Sequence, residues 1–165
     1  MNPWSVLGRV KLKHLVRGLF LGLGHPLFLW PTIRATRECV RVSTEHYGRL
    51  HHKNGPANAF RHALWNYMIA EACSPDGVRE ERAIAWAEKI TRWHEDAFPN
   101  PELARNMDLH NNAIGREIWR AGQEQNRESA IRRLMEMARK SVRIDAGTDL
   151  EPLKEQLVHL IAHEG

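Results

Sequence analysis

The chain has 165 residues, of which 42% are hydrophobic and 27% charged, as in an ordinary soluble globular protein. This length accommodates one domain with a sizeable core. The net charge of +4 favours anionic partners, but the basic residues are scattered and do not predict specific nucleic-acid binding. Cys39 and Cys73 belong to no CxxC pattern, and buried free thiols are favoured over a disulfide.

Residues 1–30 combine basic side chains with a short apolar run. Lys11, Lys13 and Arg17 precede or border the run, residues 18–30, which is too short to span a bilayer and is interrupted by glycines and a proline. The segment lacks the small-x-small cleavage site of a signal peptide. Two interpretations stay open: it lies on an anionic lipid surface as a peripheral membrane contact, or it packs on the domain.

From Pro31 onward the hydrophobic periodicity is helical, and no stretch alternates with the period of a strand. Gly55-Pro56, the SPDG segment and the FPNP segment interrupt it. The predicted helices cover residues 31–50, 57–73, 75–95, 103–120 (or from Asp108), 127–142 and 152–165. We therefore predict an all-α fold, in which residues 31–165 form a single-domain bundle of six or seven helices around a central helix, residues 57–73.

The predicted central helix contains the stretch NAFRHALWN, in which few positions are left for water. Asn58, His62, then Trp65 or Asn66, and Ile69 share one stripe of this helix, because residues three and four apart lie on the same face. Arg61 lies beside the stripe, and burying an unpaired guanidinium is strongly unfavourable. We therefore expect Arg61 to contact a carboxylate or an anionic ligand.

Two further helices also bring polar residues onto faces that the periodicity predicts to be buried. On the first, His94 continues an apolar stripe and Glu95 follows it directly; on the second, Asp108 and Asn112 are four residues apart. The polar residues that the three helices supply are Asn58, Arg61, His62, His94, Glu95, Asp108, Asn111, Asn112 and Arg116. Such a cluster is either a hydrogen-bond network that fixes helix register or a site between helices, and its many ionisable groups favour a site.

Three short motifs carry a family resemblance. NAFRHALW, HE and MDLHNNAIGR together resemble the pattern N-A-x-R-H-x-x-W, H-E and M-D-x-x-N-N-x-x-G-R of an uncharacterised bacterial all-α domain family. Its members occur alone and as terminal modules of secreted or toxin-like proteins. The resemblance covers residues 58–116 and implies that Trp65 and the polar residues named above form a shared site, but it implies no reaction. The localisations that fit are the bacterial cytoplasm, the membrane periphery and export as an effector.

A divalent metal ion suits a histidine from one helix, a histidine with an adjacent acid from a second and an aspartate from a third. The order H…HE…D is similar to the H…HD…D arrangement of the helical metal-dependent phosphohydrolases, although glutamate replaces aspartate and the last acid follows sooner. In this interpretation His62, His94 and Asp108 bind the metal. Arg61 and Arg116 then bind phosphate oxygens, which guanidinium groups suit.

A metal-free interpretation keeps the same site but makes His62 or His94 a general base that Glu95 or Asp108 orients. Both interpretations predict a hydrolase acting on a phosphate-containing or ester substrate, with a phospholipid as one candidate. The predicted catalytic residues are His62, His94, Glu95 and Asp108, and the predicted substrate-binding residues are Asn58, Arg61, Asn111, Asn112 and Arg116. The alternative is a non-catalytic helical module that binds a lipid or a protein partner, with a purely structural polar cluster.

Overall fold

The computed structural model describes residues 12–74, 80–98, 100–122, 124 and 126–161. Within these ranges the chain forms six α-helices: α1 (Leu12–Gly24), α2 (Pro26–Tyr47), α3 (Pro56–Cys73), α4 (Glu80–Ala97), α5 (Glu102–Arg120) and α6 (Arg127–Arg139). Two strands, β1 (Val142–Arg143) and β2 (Val158–His159), pair in parallel, and two 3-10 helices cover Leu50–His52 and Glu151–Leu153. The all-α, single-domain prediction is confirmed.

Helix α3 is the centre of the bundle, and α2, α4, α5 and α6 all pack against it. Most of its residues are buried, and Phe60, Leu64 and Ile69 are fully enclosed. Its flanks explain its length: Pro56 is pre-organised for a first helical position, and the chain leaves helical geometry at Ser74. The predicted central helix, residues 57–73, therefore matches α3 to within one residue.

Helices α3 and α5 cross in close backbone contact. A Cβ atom at Gly115 would lie 2.0 Å from the carbonyl oxygen of Ala63, so only glycine allows this approach. The crossing brings the N-terminal half of α5, with Asp108 and Asn112, alongside His62. Gly115 thus positions polar residues that belong to two different helices.

The N-terminal residues of the described chain also form helices. Helix α2 begins at Pro26 rather than at Pro31, and Pro31 lies inside it, because Pro26 provides the first-turn proline that the prediction assigned to Pro31. Helix α1 packs on α4, where the indole Nε1 of Trp93 donates a hydrogen bond of 2.8 Å to the carbonyl oxygen of His14. Among the described residues no helix has the length and apolar character needed to cross a bilayer.

The predicted C-terminal helix from Pro152 is wrong. After a single 3-10 turn the chain becomes extended and pairs with β1, with Val158 opposite Val142. Because Val142 belongs to that strand, α6 ends at Arg139 and not at the predicted residue 142. Leu157 and Val158 are both fully buried. Two consecutive residues are more readily buried together in an extended segment that is covered on both sides than on a helix with one buried face. Residues 162–165, and the predicted helix start at Pro75, lie outside the described residues.

We expect Gly115→Ala to destabilise the protein by at least about 3 kcal/mol, because the added methyl group overlaps backbone atoms of α3 that cannot move independently. Urea denaturation followed by circular dichroism measures the effect. Gly24→Ala is the matched control, since nothing lies within 4 Å of its added Cβ. Equal stability of the Gly115→Ala variant and the parent would show that the two helices cross further apart.

Candidate active site

Three buried ionisable side chains from three helices converge at the centre of the bundle. They are His62 of α3, Glu95 of α4 and Asp108 of α5, and each is at most 3% exposed. Each offers one potential metal-ligand atom, and these atoms all lie within 4.8 Å of one another. We call this group the His-Glu-Asp triad.

The imidazole of His62 is close to both carboxyl groups. Its Nε2 is 3.3 Å from Oδ1 of Asp108, and its Nδ1 is 3.9 Å from Oε1 of Glu95. The Arg61 guanidinium donates from Nη2 to Nε2 of His62 at 2.7 Å. The guanidinium of Arg61 thus contacts the imidazole of His62 directly, and the imidazole in turn is close to the predicted carboxylate partners.

His94 lies outside the triad. Consecutive residues on a helix point about 100° apart, and of the two it is Glu95 whose ligand atom lies near those of His62 and Asp108. The ring of His94 contacts Trp65 and Phe98, with centroid distances of 5.1 and 4.7 Å. Glu95 therefore takes the position that the sequence interpretation gave to His94 as a ligand.

A pocket of about 140 Å³ reaches the triad from the side of α2. Its lining residues are Thr36, Cys39, Val40, Arg61, His62, Trp65 and His94. Its lining includes Arg61 and His62, whose side chains contact each other, as well as the imidazole of His94. A small anionic group entering the pocket would therefore meet a guanidinium next to the triad histidine.

A series of side-chain hydrogen bonds from Arg116 through Asn66 and Asn112 orients the imidazole of His62. A guanidinium only donates, so the Asn66 atom 2.9 Å from Nη1 of Arg116 is the carbonyl oxygen. Asn66 therefore presents Nδ2 to Oδ1 of Asn112 at 2.7 Å. The same Oδ1 lies 3.2 Å from Nδ1 of His62, so Nδ1 carries the proton and Nε2 is the nitrogen that accepts.

Several buried atoms around the triad have no hydrogen-bond partner among the described residues. These atoms are Oε1 of Glu95, Oδ1 of Asp108, Nε of Arg61 and Nδ2 of Asn112. Buried polar groups are nearly always paired, and each unpaired one costs about 1–3 kcal/mol. Two of the atoms are carboxyl oxygens directed towards the same imidazole, so the triad is a centre with unused acceptor capacity.

Burial changes the protonation of the triad. Desolvation, together with the nearby Asp108 carboxyl, raises the pKa of Glu95 to about 8. Desolvation likewise raises the pKa of Asp108 to about 7, although Arg61 opposes the shift. Desolvation and the Arg61 charge hold the pKa of His62 well below 6.5, so the imidazole is neutral near pH 7. The folded chain alone therefore favours protonated acids beside a neutral histidine.

The remaining sequence candidates have structural partners. Asn111 exchanges two hydrogen bonds of 2.9 Å with the backbone of Val158 and so holds β2 rather than a ligand. Arg116 supports Asn66 and does not line the pocket. Asn58 is buried, and its Nδ2 donates at 3.5 Å to the carbonyl oxygen of His51 near the start of α3.

Asn66 is the site residue that the sequence interpretation missed. It lies one helical turn after His62 and shares its stripe, which was the available signal. Its Oδ1 also accepts a hydrogen bond of 3.2 Å from the hydroxyl of Thr91, so α4 contributes to its orientation. Three helices thus fix this single amide.

Comparison with known proteins gives one match. The family model described as a domain of unknown function (DUF6973) matches residues 19–142, which is most of the 165-residue chain and includes the whole triad. No curated protein and no solved structure matches the chain.

We expect His62 to be a neutral Nδ1–H tautomer at pH 7, because Asn112 presents an oxygen to Nδ1. Nitrogen-15 NMR of the imidazole measures this directly. In the Arg116→Met variant Oδ1 of Asn66 keeps only the 3.2 Å hydrogen bond from Thr91, so the amide is held less firmly and a population of the second tautomer should appear. Arg120→Met, at an exposed arginine on the same helix, is the control. An Nε2–H tautomer in the parent protein would contradict the proposed hydrogen-bond chain.

Proposed function

The chain belongs to the family described as a domain of unknown function (DUF6973), and we propose that it hydrolyses a phosphate-containing or ester substrate at the His-Glu-Asp triad, with a divalent metal ion as cofactor. The metal ligands in this proposal are His62, Glu95 and Asp108. The substrate enters through the pocket beside α2.

One observation carries the proposal. Nε2 of His62 lies 3.3 Å from Oδ1 of Asp108, a carboxyl oxygen that has no donor among the described residues. In the ion-free chain this nitrogen accepts from Arg61 at 2.7 Å, and a bound ion would take the place of that hydrogen bond. Two acceptors at this distance repel unless a proton or a cation lies between them. A structural network would be expected to pair these atoms instead, as it pairs Asn66 and Asn112.

The donor set fits a divalent transition metal. One imidazole nitrogen and two carboxylate oxygens suit zinc, manganese or iron, and three protein ligands leave positions for water and substrate. When bound, such an ion lowers the pKa of a coordinated water and polarises a phosphoryl or carbonyl oxygen. The Nδ1–H group of His62 donates a hydrogen bond to Oδ1 of Asn112. A hydrogen bond of this kind, from the nitrogen that does not bind the metal, orients a ligating histidine.

Arg61 supplies the contact with the substrate in this proposal. Its guanidinium lines the pocket, and its Nε has no partner among the described residues. It carries donors in a planar fork, which matches the oxygens of a phosphate or carboxylate group. Trp65 and His94 form the adjoining wall and would exclude water from a bound ester group.

The geometry favours the metal-dependent version over general-base catalysis. A histidine base is normally oriented by a carboxylate at its second nitrogen, whereas Nδ1 of His62 donates to an amide oxygen. His94 is less suited still, since desolvation and Arg61 lower its pKa to about 4 and its nearest rings are aromatic. His94 is therefore a wall residue in the proposal.

We expect hydrolysis of at least one member of a panel of chromogenic phosphomonoesters, phosphodiesters and carboxylic esters by metal-loaded protein. Removal of the metal by a chelator should abolish it, and Glu95→Gln should reduce it by at least about a hundredfold because a ligand is lost. Glu81→Gln, at an exposed acid on the same helix, is the control and should leave the rate unchanged.

The same Glu95→Gln variant should be more stable than the parent in chelator at pH 8. Folding raises the pKa of Glu95 from 4.5 to about 8, so the folded chain holds a proton that the unfolded chain releases, and stability falls as pH rises through this window. Glutamine removes that cost, and we expect a gain of about 2 kcal/mol by urea denaturation. A loss of stability instead, with no metal binding by the parent, would favour the non-catalytic module.

We expect the affinity of the metal-free protein for Mn²⁺ to rise by about five-hundredfold between pH 6 and pH 8, because binding displaces protons from Asp108 and Glu95, whose pKa values lie at about 7 and 8. His62 is already neutral in this range and adds no dependence. Titration calorimetry in buffers of different ionisation enthalpy measures affinity and proton release together. A pH-independent affinity without proton release would contradict binding at the triad.

A further inference from the structure

We infer that the outer face of α1 and the start of α2 bind the surface of an anionic lipid bilayer. This inference concerns a second surface of the molecule and does not depend on the proposed hydrolysis. It rests on an exposed apolar face, on the charges beside that face, and on the way α1 is attached to the bundle.

Helix α1 is apolar on the side that faces away from the protein. Its inner side is held by α4, where a Cβ at Gly18 would lie 2.5 Å from Cζ2 of Trp93. The opposite side presents large apolar residues at spacings of three and four, and the row continues on α2. We define this apolar face as Val16, Leu19, Phe20, Leu23, Leu27 and Trp30.

The apolar face is unusually exposed. All of its members except Val16 have between 61% and 69% of their surface accessible. Monomeric soluble proteins rarely leave so many neighbouring large apolar side chains in water, and such a patch marks an interaction surface. Since both ends of α1 are attached to the bundle through α4 and α2, the patch is part of the folded protein.

Basic side chains border the face. Lys13 and Arg17 lie on the exposed part of α1, where Arg17 also lies 3.4 Å from a carboxylate oxygen of Asp96. Arg34 and Arg37 continue the exposed row of α2 beyond Trp30. Both arginines and Trp30 line a groove of about 500 Å³, whose other charged residues are Glu38, Arg41 and Arg127. The side chains of Arg34 and Arg37 make no hydrogen bond or ion pair with any described residue, so they are available to lipid phosphates.

The absence of acidic residues favours a bilayer over a second copy of the chain. Residues 12–37 contain no Asp or Glu. Two copies meeting through this face would bring their cations together with no carboxylates from it to pair with them, which is unfavourable. An anionic bilayer instead offers phosphates to the cations, hydrocarbon to the leucines and an interface that suits a tryptophan such as Trp30.

Co-sedimentation of the full chain with vesicles tests the inference. We expect binding to vesicles of equal parts phosphatidylglycerol and phosphatidylcholine, and little binding to phosphatidylcholine alone. The combined change Leu19→Asn, Phe20→Ser and Leu23→Asn should weaken binding by at least about tenfold, because the apolar contribution is lost. Leu50→Asn with Ile161→Asn, two exposed apolar residues elsewhere, is the matched control and should bind normally.

A second variant separates the contribution of charge. Arg34→Gln with Arg37→Gln should weaken binding by about 25-fold, since each basic residue near an anionic surface contributes about fivefold. Arg82→Gln with Lys89→Gln makes the same change in net charge on exposed positions of α4 and should have little effect. Circular dichroism must match the parent for all four variants.

Three results would overturn the inference. The first is equal binding to both vesicle types, and the second is anionic binding that survives both the apolar and the arginine changes. The third comes from sedimentation velocity without lipid: a parent dimer that becomes a monomer in the apolar variant would assign the face to a second copy of the chain.

Discussion

The close packing of α3 on α5 at Ala63 and Gly115 is the contact on which the site depends. It places the polar side of α5 against His62, so that one histidine contacts Asp108 and Asn112 in the interior of the bundle. Larger residues at this crossing would separate these groups by more than hydrogen-bond distance. Gly115 therefore allows polar side chains of two helices to form a single polar centre. The apolar core around α3 stabilises the folded chain, because the polar centre itself contributes little to stability.

The polar centre has two parts with different chemistry. The amides of Asn66 and Asn112 and the guanidinium of Arg116 are joined by hydrogen bonds, and in this part of the centre only Nδ2 of Asn112 lacks a partner among the described residues. The carboxyl groups of Glu95 and Asp108 lack such partners, and burial raises the pKa of both. Burying carboxyl groups without hydrogen-bond partners lowers the free energy of unfolding. Such a loss of stability is common where a protein keeps groups available for binding. The paired part holds the imidazole rigidly, and the unpaired part remains able to bind a cation.

The sequence predicted the helical class, the central helix and the participation of three helices, because these depend on hydrophobic periodicity that is strong in α3, α4 and α5. It could not decide between His94 and Glu95, since the crossing angle of α4 determines which of two adjacent residues faces α5. It also failed after α6: Leu150, Leu153, Leu157 and Leu160 recur at helical spacing, yet their segment forms one 3-10 turn followed by extended chain. That choice is made by tertiary contacts with Met107 and Ile144, which lie far apart in the sequence.

The double hydrogen bond from Asn111 to Val158 has a consequence for association between molecules. β2 pairs with β1 on one edge, so its other edge would expose backbone groups that a strand of another chain could join. The Asn111 amide occupies both groups of Val158, and the carbonyl of Asn54 accepts from the next outward amide, that of Leu160. A side chain and a loop thereby close the edge of the two-stranded sheet against intermolecular β-pairing and aggregation.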